Sequence, residues 1–169
     1  MLVWPSLAKV KDTFKIEVKQ ITHGPMTHFF GYIGHVQNIP WTLSGRYIVA
    51  LQTSFHDRMP GPNDPANVVL IDTHNGYQTK VVDQSRGWNP QQGTMFYWNP
   101  GNQETQFFFN DRDLKTGKVF CVLYDIEKNK RIREYRFQDT PIGNGGVAQK
   151  GGWFLGLNYA RMARLRPVT

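Results

Sequence analysis

Two stretches decide how this chain folds: VVLIDTHNGYQTKVV at residues 68–82 and CVLYDIEKNKRIREY at residues 121–135. Each has a strand rich in β-branched and aromatic residues that ends in Asp, then a short polar turn, then a second strand. Asp72 and Asp125 are 53 residues apart, and Trp41 and Trp98 are 57 apart. The segments before these hairpins also repeat. PWTLSGRYIVAL (40–51), WNPGNQETQFFF (98–109) and AQKGGWFLGL (148–157) are each a turn rich in Gly or Asn leading into an apolar strand. A unit of about 50 residues with three or four short strands is the pattern of β-propeller blades. An ordinary β-sandwich also has recurrent strands and turns, but the hairpin ending in Asp returns at the same place in each unit, which favours the propeller.

The expected fold is therefore all-β, with 1–169 as a single β-propeller fragment of about three four-stranded antiparallel units in an incomplete ring. The first blade runs over about 28–83 and the second over about 91–137. A partial third occupies about 144–169. The FKIEV strand, within 14–21, is read as the outer strand of a neighbouring blade. Long helical periodicity is absent, and the one expected helical turn is Tyr159 to Leu165, with Arg161 and Arg164 on one side. Such a set of blades leaves open sheet edges, to be covered by missing blades or by other copies of the chain.

Composition narrows the function classes. With 40% hydrophobic and 14% aromatic residues the chain can bury a core. Cys121 is its only cysteine, which excludes an intrachain disulfide framework and a cysteine-rich zinc site. No stretch approaches the length of a spanning helix, and MLVWPSLAKVKDTF lacks a signal-peptide core, so a cytoplasmic chain without a membrane span is the default expectation. The net charge is +7, and residues 127–166 hold nine Lys and Arg against Glu127, Glu134 and Asp139. Such a basic face suits phosphates, acidic sugars or an anionic partner, or is simply solvated. No nucleic-acid motif accompanies it, and the aromatics sit inside strands, so nucleic acid is not an expected partner.

The propeller plan gathers the unusual polar residues. Loops entering the innermost strands (22–28, 84–92 and 138–144) share a rim with loops joining second to third strands (53–66, 110–117 and 158–167). The expected substrate-binding set on that rim is Arg58, Arg86, Trp88, Asn89, Gln91, Gln92, Asn110, Asp111, Arg112, Asn144, Asn158 and Arg161. Amides supply paired donors and acceptors, Arg grips carboxylates with two bonds, and Trp offers an apolar face. The same residue types also cap turns, and Asp111 with Arg112 reads as a local ion pair. His28 and His56 are the rim histidines with a claim on acid/base chemistry, and His23 lies beside them. No pair of histidines has helical metal-ligand spacing. Asp72 and Asp125 read as turn residues, while Trp41, Trp98 and Trp153 read as packing aromatics.

These same stretches carry a family resemblance. HFFGY (28–32), PWTLSGRYIVAL (40–51), FHDRMPGPND (55–64), VVLIDTHNG (68–76), RGWNPQQGTMFYW (86–98), FNDRD (109–113) and NYARMARLRP (158–167) resemble the N-terminal half of bacterial propellers of the oligogalacturonate lyase family, and more distantly the TolB-type propellers. WNPQQG followed by FNDR is the most specific part. The resemblance implies a six- or seven-bladed ring, a longer protein, and an acidic oligosaccharide as ligand or lyase substrate. A non-enzymatic propeller scaffold binding a protein or sugar is the other reading. The lyase's metal-binding histidines belong to later blades, so the resemblance implies a divalent metal only for a full-length protein. Within this chain it supplies no cofactor and no metal ligand.

Overall fold

In the computed structural model, residues 15–31, 39–138 and 140–165 are described. Phe14 of the expected first strand, Tyr32 of HFFGY, Asp139, and the end of the last expected loop (166–167) lie outside them. Among the described residues ten strands and one helix follow one another: β1 Thr27–Phe29, β2 Tyr47–Thr53, β3 Ala66–Asp72, β4 Gln78–Ser85, β5 Tyr97–Trp98, β6 Gln106–Arg112, β7 Val119–Asp125, β8 Lys130–Tyr135, β9 Ile142–Val147, β10 Phe154–Asn158 and α1 Tyr159–Leu165. They build three antiparallel sheets in chain order: β1-β2-β3-β4, β5-β6-β7-β8, and the pair β9-β10. The chain is mostly β, as its residues predict, and the helical turn lies where Tyr159 to Leu165 was expected.

The two repeated hairpins close on their aspartates. Asp72 accepts the His74 amide at 3.0 Å with its carboxylate and the Tyr77 amide at 3.0 Å with its carbonyl. Asp125 accepts the Lys128 amide at 2.9 Å and the Gln106 amide side chain at 2.9 Å. Both turns need a residue at positive φ to reverse the chain: Gly76 and Tyr77 at 59° and 60° in the first, Asn129 at 50° in the second.

Three sequence expectations change. FKIEV forms no strand over its described residues: Ile16 is 71% and Val18 89% exposed. The segment is held instead by Lys19, whose ammonium bonds the Tyr77 hydroxyl and lies over that ring. TMFYW shortens to the two residues of β5, because Met95 takes φ 56° and breaks the extended run. IGNGGV, poor in strand formers, becomes β9; two of its glycines are required by proximity, since a Cβ at Gly143 would lie 2.8 Å from the Tyr159 ring and one at Gly145 2.5 Å from the Leu157 side chain. Of the three tryptophans expected to pack, only Trp98 is buried; Trp41 and Trp153 are exposed.

The main core lies between the first two sheets, where Phe107 is fully buried among Phe96, Trp98, Phe109 and Tyr124, at centroid distances of 5.4–6.0 Å. Tyr124 and Trp98 carry polar atoms into this core, and both donate to carbonyls of the first-sheet segment, Val82 and Pro40, at 3.1 Å each. A second core joins the second and third sheets through Phe108, Cys121, Leu123 and Phe154. Burial pushes the Cys121 thiol up to about 12, so it stays protonated and unreactive at neutral pH.

The meander places the β2–β3, β4–β5, β6–β7 and β8–β9 connections and α1 at one end of the sheets. The β6–β7 turn is built by Asp113. Its carboxylate accepts the Thr116 amide at 2.9 Å, the Thr116 hydroxyl at 3.1 Å and the Lys115 amide at 3.0 Å, and pairs with Arg136 at 2.9 Å. The Thr116 amide and hydroxyl above all hold it down to about 2 from an ordinary 3.8. A depressed carboxylate stabilises fully above its unfolded value and ceases to do so as pH falls through the folded one. We therefore expect a carboxyl chemical-shift titration of Asp113 with a midpoint near 2; a midpoint near 4 would show that the turn does not hold it.

Candidate functional site

The loop NPQQG is shaped by its own first residue. The Asn89 side-chain oxygen accepts the amides of Gln91 and Gln92 at 3.0 and 2.7 Å, its side-chain amide reaches Gln92 at 3.2 Å, and the backbones of Asn89 and Gly93 bond each other in both directions at 3.0 and 2.9 Å. Gly93 sits at φ 62° with a Cβ position only 2.2 Å from the Phe30 carbonyl, so this tight approach admits no side chain. Behind the loop, Trp88 is buried against Phe29 and Phe55 and donates to the Asp64 carbonyl at 2.9 Å. That bond pins the β4–β5 connection to the β2–β3 loop.

Across from this loop stands α1. Asn158 caps it, accepting the Arg161 amide at 3.0 Å. Tyr159 and Met162, three residues apart and so on one helix face, point toward the loop. Between them is a pocket of about 160 Å³, floored by Asn110 and lined by Trp88, Asn89, Gln92 and Arg112. Arg112 is the cation in its lining: among the described residues no side-chain partner engages it, and its Nε is shielded from solvent and unbonded. Burial pushes the Tyr159 phenol up to about 12, so the pocket presents a neutral hydroxyl beside that guanidinium.

Five of the expected residues thus meet at the pocket: Trp88, Asn89, Gln92, Asn110 and Arg112. Arg86 is close in the chain and gives its backbone amide to Asp111 at 2.8 Å. Gln91 and Arg161 are exposed, outside the pocket lining. Arg58 is set apart on the β2–β3 loop, stacked on Phe55 at 3.7 Å and paired with Asp64.

Other expected binders are occupied in holding the sheets. Asn110 clasps the peptide of Asn144, donating to its carbonyl at 2.9 Å and accepting its amide at 2.6 Å. Asn144 in turn donates to the Met95 carbonyl at 3.0 Å and accepts the Gly146 amide at 2.8 Å. Asp111 does not pair with Arg112, from which it takes only the backbone amide at 2.8 Å; its ion-pair partner is Arg131, at 2.9 Å. Arg131 also forks onto Asp83 with two bonds of 2.8 Å and reaches Glu134 at 3.1 Å; burial pushes its pKa down, but Asp83 and Asp111 outweigh that and raise it. Part of the late basic excess is therefore spent inside the fold.

The histidines stand elsewhere. His28 begins a row of side chains crossing all four strands of the first sheet: Gln52 meets its Nε2 at 2.9 Å, Asn67 donates to Gln52 at 3.0 Å, and Gln84 donates to Asn67 at 3.1 Å. Burial lowers the His28 pKa and keeps the ring neutral. His56 is exposed, 3.3 Å from the Thr27 hydroxyl. Among the described residues, no three His, Cys, Asp or Glu side chains are grouped to share a metal ion, and no helix is long and apolar enough to cross a membrane.

Sequence reasoning missed Tyr159, Met162 and Arg131. The i, i+3 spacing of Tyr159 and Met162 was a signal for the first two. Arg131 sits among four other basic residues in KNKRIR and EYR, and nothing local distinguishes it. No family model matches the chain, and no curated protein or solved structure matches it either.

Proposed function

We propose that the chain is part of a β-propeller, its first two sheets being blades and its third the inner half of another, and that the loop end binds an acidic oligosaccharide. One observation carries the ligand reading: the cleft between NPQQG and α1 holds the Arg112 guanidinium with a shielded, unbonded Nε, flanked by amide side chains and an aromatic hydroxyl. A shielded donor without a partner is costly, and a carboxylate supplies the missing acceptor with a charge-assisted bond. Arg86, next to the loop in the chain, extends the positive potential along it. The resemblance to oligogalacturonate lyases makes an oligogalacturonate the ligand to try first.

The role is binding rather than proton abstraction by this segment. His28 is tied to Gln52 and lies outside the pocket lining, and His56 sits on another loop. A purely structural rim is favoured by a different observation, the internal satisfaction of Asn110, Asn144, Asp111 and Asn158. Calorimetric titration separates the two. Oligogalacturonate should bind more tightly than the neutral galacto-oligosaccharide, and Arg112→Ala should weaken binding about tenfold or more. Equal affinity for both sugars, or for both proteins, would leave the structural rim as the correct reading.

A further inference from the structure

At the end opposite the rim, the first two sheets enclose a second cavity, of about 580 Å³, which is in the range of small-molecule sites. Both sheets beside it are four-stranded, and no residue of the third sheet or of α1 is in its lining. Bonds between the two sheets fix its shape: Glu104 accepts the Ser44 amide at 2.6 Å and the Ser44 hydroxyl at 2.7 Å, and Lys80 donates to the Asn129 side chain at 3.3 Å. Its apolar lining is Tyr47, Leu70, Val82 and Ile126. The charges divide by wall. The first sheet presents Arg46 and Lys80, with Asp72 already paired to Arg46 at 3.3 Å, whereas the turns of the second sheet present Glu104 and Glu127 and no cation. Among the described residues no ion pair joins the two walls of the cavity. Three groups there keep free capacity among the described residues. The Glu127 carboxylate has no partner, the Arg46 guanidinium bonds only Asp72 and through one nitrogen, and the Thr105 hydroxyl is shielded from solvent and unbonded.

We propose that this cavity binds a short apolar peptide of two or three residues with both termini free. Its carboxylate meets Arg46 on the first-sheet wall, its ammonium meets Glu127 on the second, and its side chains cover Tyr47, Leu70, Val82 and Ile126. Opposite charges on facing walls select a dipolar ligand. A simple anion would gain Arg46 and Lys80 but lie against Glu104 and Glu127, and a simple cation would meet the reverse conflict. A neutral sugar would leave both walls unmatched. The rim pocket shares no lining residue with this cavity, so the inference stands independently of the rim ligand.

The probe is the dipeptide leucylphenylalanine, and methyl NMR signals of Leu70, Val82 and Ile126 read the cavity directly. Saturable shifts of these signals are expected. Acetylating the peptide's amine or amidating its carboxylate should each weaken binding about fivefold, the size of one partly exposed ion pair. Glu127→Gln should weaken the free dipeptide by the same factor and leave the acetylated form unchanged, because that form has no ammonium to lose. Arg46→Gln should do the same for the free and amidated forms. Glu127 and Arg46 are both exposed, so their substitution leaves the fold intact. The proposal is overturned by an absence of saturable shifts at these methyls, by equal affinity for the free and blocked dipeptides, or by unchanged affinity in Glu127→Gln. It is equally overturned if the shifts arise only in a variant lacking residues 1–14, since that segment of the chain would then be the occupant.

Discussion

Replacement of Arg131 by alanine is expected to cost about 3–5 kcal/mol of folding stability, the range for breaking a buried ion pair on one side. The guanidinium side chain is 27% exposed, and its partners Asp83 and Asp111 are 16% and 7% exposed. Without it, two carboxylates from different sheets are left close together in a poorly solvated seam with no cation between them. Asp83 belongs to β4 and Asp111 to β6, so the loss falls on the joint between the first two sheets. Lysine in its place should recover only part of the stability, because one ammonium cannot replace a fork that bonds Asp83 twice while holding Asp111. Urea unfolding with an unchanged slope measures the difference. A loss under about 0.5 kcal/mol, the size of a surface effect, would mean that water already screens the cluster. If the alanine variant does not fold, the lysine variant carries the measurement.

This hub also marks the boundary between what sequence reading reaches and what it does not. The hairpins at Asp72 and Asp125 are legible because their turn chemistry is local: an aspartate, a polar reversal and a residue able to take positive φ all lie within a few positions. The α1 turn is legible for the same reason. Arg131 is not, because its role depends on Asp83, 48 residues earlier, and on Asp111, contributed by a strand two places away in the sheet. FKIEV misleads in the opposite direction. Its alternation fits a strand, but a strand needs a neighbour, and the described residues provide none.

The candidate site divides along the same line. The clustering of Trp88, Asn89, Gln92, Asn110 and Arg112 followed from assigning loops to one end of a meander. Which of their polar groups remain available did not, since that depends on contacts between sheets. Asn89 shapes its own loop, Asn110 and Asp111 are taken up by the third sheet and by Arg131, and Arg112 keeps a shielded donor unbonded. Polarity at a rim is thus a guide to location, while availability is decided by the completed hydrogen-bond inventory.

The second large effect is expected at Asn110, which is 2% exposed. Its side-chain amide bonds the carbonyl and the amide of Asn144 as a neighbouring strand would, joining β6 to β9 where no ladder connects their sheets. Alanine at 110 leaves both backbone groups of Asn144 buried without partners, and at about 1–3 kcal/mol for each unsatisfied group the total should be about 2–4 kcal/mol. Aspartate should not rescue it: one oxygen can still accept the Asn144 amide, but the other is turned toward the Asn144 carbonyl that needs a donor. Because β9 is contacted by the clasp and by few other elements, the loss should appear first as local opening. Amide exchange should accelerate in β9 and β10 before it does in β6 or β7. The pocket then offers an independent readout. Tyr159 hydrogen-bonds Asn110 at 3.4 Å, so releasing the third sheet also frees α1 from the wall opposite Arg112. Asn110→Ala should therefore weaken the oligogalacturonate binding proposed for this pocket under conditions where the first two sheets remain folded. Uniform acceleration of exchange across all three sheets would instead make Asn110 part of one cooperative core, with no separate control over the pocket.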